Sequence, residues 1–214
     1  MDILAQFADI VLHLDVHLAQ LLQHYGDIVY AILFAIIFCE TGLVVAPFLP
    51  GDSLLFVSGA LAASSGGFDL ATLIVVLIAA AMAGDNTNYW IGRWVGRHIL
   101  AWNARWINRS AYERAHQFYE RHGGQTMIVA RFVPLMRTFA PFVAGVARMT
   151  YRRYVAFDSV GAALWVISLT LAGYLFGNLP GVRGNLSLVI LGIVAISFVP
   201  VTLAWLRQRW QVQK

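Results

Sequence analysis

Residues 186–206 run for 21 positions without a charge. As a helix rising about 1.5 Å per residue, that run matches the hydrocarbon thickness of a bilayer, which takes about 20 residues to cross. Two other stretches are long enough to do the same. Residues 154–177 carry only Asp158, near their start, and residues 70–92 are apolar through Gly84 before turning polar at Asp85, Asn86, Thr87 and Asn88. Composition agrees with a lipid solvent. The 214 residues are 59% hydrophobic and 12% charged, with a mean hydropathy of +0.68, whereas soluble domains carry about 25% charged residues. A single large core does not account for the deficit, because a chain of this size still needs a polar surface. The expectation is an all-α membrane protein forming one domain over residues 1–214.

The remaining apolar stretches are too short to cross. Residues 28–39 form a run of 12, about 18 Å of helix. Glu40, Pro47, Pro50, Gly51 and Asp52 follow, and then a second short run over 53–63. Residues 126–147 are cut in the same way by Arg131, Pro134, Arg137 and Pro141. Half-length helices broken by Pro and Gly read as re-entrant hairpins, here 28–64 and 126–147, with Pro47, Pro50, Gly51 and Pro134 shaping the breaks. Irregular backbone survives at membrane depth only where protein or a watery cavity satisfies it. The two regions also resemble each other. Phe56-Val-Ser-Gly-Ala60 matches Phe142-Val-Ala-Gly-Val146 at an offset of 86, and Tyr89-Trp-Ile-Gly92 matches Tyr174-Leu-Phe-Gly177 at an offset of 85. Together they describe one repeat, a re-entrant hairpin followed by a transmembrane helix. Each copy crosses once and residues 97–122 between them are charged, so the second copy is expected to be inverted.

Charge is distributed unevenly. The first 92 residues contain no Lys or Arg but eight acids, while residues 93–214 hold all 15 basic residues against three acids. Basic loops mark the cytoplasmic side of a membrane chain. That rule places 97–122 and the carboxyl terminus in the cytoplasm and the amino terminus outside. Residues 2–25 place Ile3, Phe7, Ile10, Leu14, Leu18, Leu21 and Tyr25 at steps of three and four, the pattern of an amphipathic helix lying in the interface. Asp9 and Asp15 interrupt any signal-peptide core, so a cleaved leader is not expected. Cys39 is the only cysteine, which excludes a disulfide framework and a thiolate metal site. His13, His17 and His24 read as a wet helix face. No metal, no cofactor and no nucleic-acid partner is expected.

Ionisable groups at membrane depth are costly and mark pathways and relays. Glu40 and Asp52 lie in the first hairpin, Arg131 and Arg137 in the second. The planar fork of Arg makes bidentate, charge-assisted bonds to phosphate, and two arginines six residues apart across a Pro-containing break can close on one phosphate. Burial favours a protonated carboxyl, so Glu40 and Asp52 are candidates for proton coupling or for gating the arginines. The bland alternative is a structural ion-pair network, since buried pairs are weak evidence of function. Asp85 is a secondary polar candidate, weaker than these four because it also fits a polar helix contact, and Asp158, near a helix start, reads as structural.

The motifs Cys39-Glu-Thr-Gly-Leu-Val-Val45, Pro47-Phe-Leu-Pro-Gly-Asp-Ser-Leu-Leu-Phe56 and Ala130-Arg-Phe-Val-Pro-Leu-Met-Arg-Thr138 resemble the bacterial DedA family. Gly84-Asp85 with Tyr89-Trp-Ile-Gly-Arg93, His116-Gln-Phe-Tyr-Glu120 and His122-Gly-Gly124 extend the likeness over nearly the whole chain. The resemblance implies an inner-membrane transporter. Family members are implicated in returning undecaprenyl phosphate to the inner leaflet, others move phospholipids or depend on the proton gradient, and related eukaryotic proteins resemble lipid scramblases. It also implies that Glu40, Asp52, Arg131 and Arg137 are the essential charges. The expected partners are membrane lipids and protons, with a second copy of the chain as a further candidate. A passive scramblase and a proton or cation exchanger are the alternatives. An enzyme of lipid-phosphate metabolism is not expected, because Lys214 is the sole lysine and the acids are scattered rather than assembled for metal or acid–base work.

Overall fold

A computed structural model describes residues 14–43, 51–64, 67–101 and 109–179, together with Val182 and Gly192. The start of the amphipathic segment, the tip of the first hairpin with Pro47 and Pro50, and the 186–206 span lie outside the described residues. Those described form seven α-helices and no strand: α1 (Leu14–Tyr25), α2 (Ile28–Gly42), α3 (Gly51–Ala62), α4 (Leu70–Ala101), α5 (Arg109–Ala130), α6 (Pro134–Val146) and α7 (Tyr151–Phe176). Within these, Leu70–Arg97 and Tyr151–Phe176 are long and apolar enough to cross a membrane. Both expose large apolar side chains, such as Val75 at 66% and Leu164 at 50%, as a lipid-facing helix does.

Local chemistry accounts for the helix limits. Asp69 caps α4, its Oδ2 accepting from the Thr72 backbone N–H at 2.7 Å, which satisfies one of the orphan donors at a helix start. Pro134 occupies the first turn of α6, where its missing N–H costs nothing, and Val133 before it is extended at φ −115°, ψ 112°, as a residue preceding proline prefers. Pro141, expected to cut the second hairpin, instead lies inside α6. At the far end of α6 the N–H groups of Arg148 and Met149 return to the carbonyls of Gly145 and Ala144, with Arg148 left-handed at φ 55°. This is the Schellman closure usually assigned to glycine. The helix expected over 70–92 continues to Ala101, because nothing between Asp69 and Ala101 breaks it and its glycines serve packing instead. The basic segment expected over 97–122 is divided between the end of α4 and the helical α5.

Two compact units divide the chain, and the division falls inside α2, α4 and α7. The first comprises 1–34, 50–77 and 166–214, the second 35–49 and 78–165. In the first unit, α3 packs on the second half of α7 so closely that side chains are excluded. A Cβ on Gly173 would collide with the Phe56 carbonyl, one on Gly59 with the Thr170 carbonyl, and one on Gly177 with Ala60. Asn178 closes the contact by donating from Nδ2 to the Ala60 carbonyl at 2.9 Å. Elsewhere in this unit the Tyr30 ring meets Phe68 edge-on at 5.3 Å, and its hydroxyl accepts from the Asp69 N–H at 2.8 Å.

The second unit repeats that contact set. A Cβ on Gly92 would collide with the Phe142 carbonyl, one on Gly145 with the Tyr89 carbonyl, and one on Gly96 with Val146. Phe56, Gly59 and Ala60 thus play the parts of Phe142, Gly145 and Val146, at the offset of 86 read from sequence. Thr170, Gly173 and Gly177 play the parts of Tyr89, Gly92 and Gly96, an offset of 81 (170 − 89) rather than 85. The four-residue error is about one helical turn, which leaves the same face inward. Burial settles the register: Tyr89 is 0% exposed and Tyr174 is 37% exposed, so the two tyrosines are not counterparts.

Candidate functional site

Five charged side chains are buried among the described residues, and all belong to the second unit: Glu40, Asp85, Arg131, Arg137 and Asp158. Helical periodicity puts them inside. Glu40 continues the buried stripe Val29, Leu33 and Ile37 of α2. Asp85 and Asn88 continue Leu73, Leu77 and Ala81 of α4. Asp158 lies between Tyr154 and Ala162 on α7. On α6, Arg137, Thr138, Pro141 and Ala144 share the buried face while Met136 and Phe139 are exposed. Glu40, Asp85, Arg137 and Asp158 therefore occupy positions that a helix of a soluble protein would give to a core residue.

Arg137 forms an ion pair with Glu40, donating from Nη2 to Oε1. Its guanidinium carbon lies 4.9 Å from the centre of the Trp165 ring, within cation–π range. Asn88 ties the pair's backbones together. Its Nδ2 donates to the carbonyls of Thr41 at 3.2 Å and Thr138 at 2.7 Å, the residues that directly follow Glu40 and Arg137. Gly42 and Gly84 let α2 and α4 approach at this level, since a Cβ on Gly84 would strike the Thr41 hydroxyl.

Arg131 occupies the turn between α5 and α6, where Phe132 and Val133 bond back to Val129 and Ala130. Its Nη2 donates to Oδ2 of Asp85 and, at 2.6 Å, to Oδ1 of Asp158. Tyr154 steadies Asp85 from α7 by donating to its backbone carbonyl at 2.8 Å. The Tyr154 ring stacks on Tyr89 at 4.3 Å and 20°, and the Tyr89 hydroxyl donates to Met149 O at 2.6 Å and accepts from Arg93 at 2.7 Å. The arginines on either side of the Pro134 break thus each have their own acid partners.

The acids and arginines named from sequence are only partly brought together. Glu40 meets Arg137, whereas Asp52 belongs to the first unit, half-buried in the first turn of α3. The partners of Arg131 are Asp85, singled out only as a secondary polar candidate, and Asp158, read as a helix-start residue. That reading of Asp158 fails because α7 begins at Tyr151. The Asp lies two turns inside, where the helix terminus offers a carboxylate little. The signal that finds it is spacing: Tyr154, Asp158, Ala162 and Trp165 fall on one buried stripe. Asn88 and Trp165 carry no such mark, because Asn is an ordinary polar helix contact and Trp an ordinary interfacial residue.

The VTT domain family matches residues 49–175, a stretch that takes in most of the second unit together with α3 and the second half of α7 from the first. Protein DedA of Escherichia coli strain K12 is 51% identical over 211 residues, covering 98% of this chain and 96% of that protein. The uncharacterized membrane protein ML0287 of Mycobacterium leprae is 45% identical over 79% of this chain and 76% of its own. Inner membrane protein YghB of Escherichia coli strain K12 is 37% identical over 75% of this chain and 73% of its own. No solved structure matches the chain. Two apolar helices of spanning length, buried charges on helix faces and relatives known as membrane proteins agree: the chain is a membrane protein of the DedA family, close to DedA itself, built on a VTT domain.

Proposed function

We propose that this protein moves a lipid phosphate between the leaflets of the bacterial inner membrane, with undecaprenyl phosphate as the first candidate and related phospholipids next. The observation that carries this reading is the arginine pair. Arg131 and Arg137 are buried, flank the Pro134 break, and are each neutralised by carboxylates. Arginine is the side chain best suited to bind a phosphate out of water, because its fork stays charged and matches two oxygens. In this reading Glu40 holds Arg137 until substrate or a proton arrives, and Asp52 serves coupling or gating from the first hairpin. Asp85 completes the polar seam. The acyl chain stays in lipid while the headgroup passes, and no bond of the substrate is broken. The protein is a carrier rather than an enzyme, and uses no cofactor.

The shared glycine contacts of the two units support an internal repeat. We propose that its copies are inverted, each a re-entrant hairpin followed by a span, with the amino terminus outside and the carboxyl terminus in the cytoplasm. Alternation of such copies exposes one site to each leaflet in turn. A second reading, a proton or cation exchanger, is favoured by one observation: among the described residues the buried acids outnumber the buried arginines by three to two.

The deciding experiment follows undecaprenyl phosphate between leaflets of proteoliposomes, with and without a pH gradient. A folded Arg131→Gln plus Arg137→Gln variant runs in parallel. Protein-dependent movement lost in the variant supports the reading, and its response to the gradient separates a pump from a passive scramblase. Absence of movement where a known flippase works would sink it.

A further inference from the structure

We infer that the Asp85–Arg131–Asp158 triad is a proton-binding site, with the proton on Oδ2 of Asp158. Among the described residues of the second unit, three carboxylates and two guanidiniums are buried. Glu40 and Arg137 cancel each other, which leaves Asp85 and Asp158 to share the single charge of Arg131. With both aspartates ionised, this cluster sets two buried negative charges against one guanidinium. A buried charge without a counter-charge is costly and is relieved by neutralisation. Two carboxylates on one site do not both ionise.

Geometry decides where the proton resides. Oδ1 of Asp158 accepts from Arg131 at 2.6 Å, while its Oδ2 is buried and has no hydrogen-bond partner. An unbonded carboxylate oxygen in a dry site is far costlier than an unbonded neutral hydroxyl. A proton on Oδ2 makes Oδ1 a carbonyl acceptor for Arg131 and leaves Asp85 and Arg131 as a balanced pair. The other buried guanidinium among the described residues of this unit, Arg137, pairs with Glu40. From α7 and α4 come Tyr154 and Tyr89, neutral phenols whose hydroxyls donate to backbone carbonyls. Arg93 is bonded to Tyr89, and Tyr119 of α5 belongs to the same core.

The inference names the proton site of the proposed transporter and so rests on that reading for its role in transport, though not for its geometry. A phosphate that takes the place of Asp85 on Arg131 leaves Asp85 to take up a proton as well, which couples headgroup arrival to protonation.

The test is infrared spectroscopy of the whole protein in lipid nanodiscs at neutral pH, with 13C-carboxyl aspartate to assign the neutral carboxyl stretch. One isotope-sensitive neutral aspartate band is expected in the wild type. It should vanish in Asp158→Asn and in Asp85→Asn, where Asp158 ionises against Arg131. Asn is the neutral isostere of the protonated acid, so Asp158→Asn should also keep the wild-type melting temperature. A wild type without the band, a band that survives in Asp158→Asn, or an Asp158→Asn protein that does not fold would each overturn the inference. A wild type that shows the band but moves no lipid would overturn the transport reading and leave the proton site standing.

Discussion

The side-chain amide of Asn88 donates to the Thr138 carbonyl at 2.7 Å while its second N–H reaches Thr41 at 3.2 Å. One fully buried amide thus spans the backbones that carry Arg137 and Glu40. Two donors meeting two carbonyls is a match that, among uncharged side chains, only Asn or Gln can make. Asn88→Ala leaves both carbonyls without this donor and should cost about 1–3 kcal/mol. Asn88→Asp should cost more, because acceptor oxygens then face acceptor oxygens. Thermal unfolding of the purified protein in one detergent ranks the two; an Asp variant as stable as wild type would remove Asn88 from this role.

Charge alone is not sufficient at the arginines. Arg131 reaches both Asp85 and Asp158 from one nitrogen, Nη2, so Lys at this position keeps the cation and loses the planar fork that matches two phosphate oxygens. We expect Arg131→Lys and Arg137→Lys to fold, with transport of lipid phosphate reduced at least tenfold, about 1.4 kcal/mol. Arg131→Ala should instead unfold readily, because removing one partner of a buried ionic set costs about 3–5 kcal/mol. Leaflet-movement assays paired with melting curves separate the two effects. Normal transport by both Lys variants would refute the phosphate clamp.

The matching glycine contacts predict matching sensitivities. Gly59→Ala and Gly145→Ala each place a methyl against a backbone carbonyl, of Thr170 and Tyr89 respectively. Overpacking of this kind typically costs about 1–3 kcal/mol, and the two losses should be similar because the contacts are. Gly26 has nothing near its Cβ position but a φ of +52°, so Gly26→Ala should cost only backbone strain. Unfolding midpoints of the three variants provide the comparison.

Asp69 gives a pH dependence of known sign. Hydrogen bonds from the Thr72 side chain and then from its backbone N–H hold the exposed carboxyl below its ordinary value. A folded-state value below the unfolded one means that the cap stabilises the protein above the ordinary carboxyl range. That contribution disappears as the pH falls through the folded value. Asp69→Asn should keep a cap and lose this acid sensitivity, while Asp69→Ala should lose the cap at every pH. Melting temperatures across an acid titration distinguish the three proteins; an unchanged acid response in Asp69→Asn would assign the sensitivity elsewhere.

Much of the molecule is written in local chemistry. The spans follow from uncharged length, the break before α6 from Pro134, and the repeat from Phe56-Val-Ser-Gly-Ala60 and Phe142-Val-Ala-Gly-Val146. Glu40, Arg131 and Arg137 were legible as site candidates because a charge on an apolar stretch has no cheap explanation in lipid. Pairing was not legible. Arg131 bonds to residues 46 and 27 positions away, and no local rule selects Asp85 and Asp158 over Asp52. The register of the repeated span was misjudged by one turn, since a 3.6-residue period offers near-equivalent alignments that only packing against α3 and α6 distinguishes.

By itself, then, the amino-acid order determines which segments are helical, where they break and which of them belong in lipid, because these depend on neighbours within a few residues. Which acid neutralises which arginine is decided only when α2, α4, α6 and α7 pack. The cost of a buried charge is set by the groups that surround it in space, and those come from all along the chain.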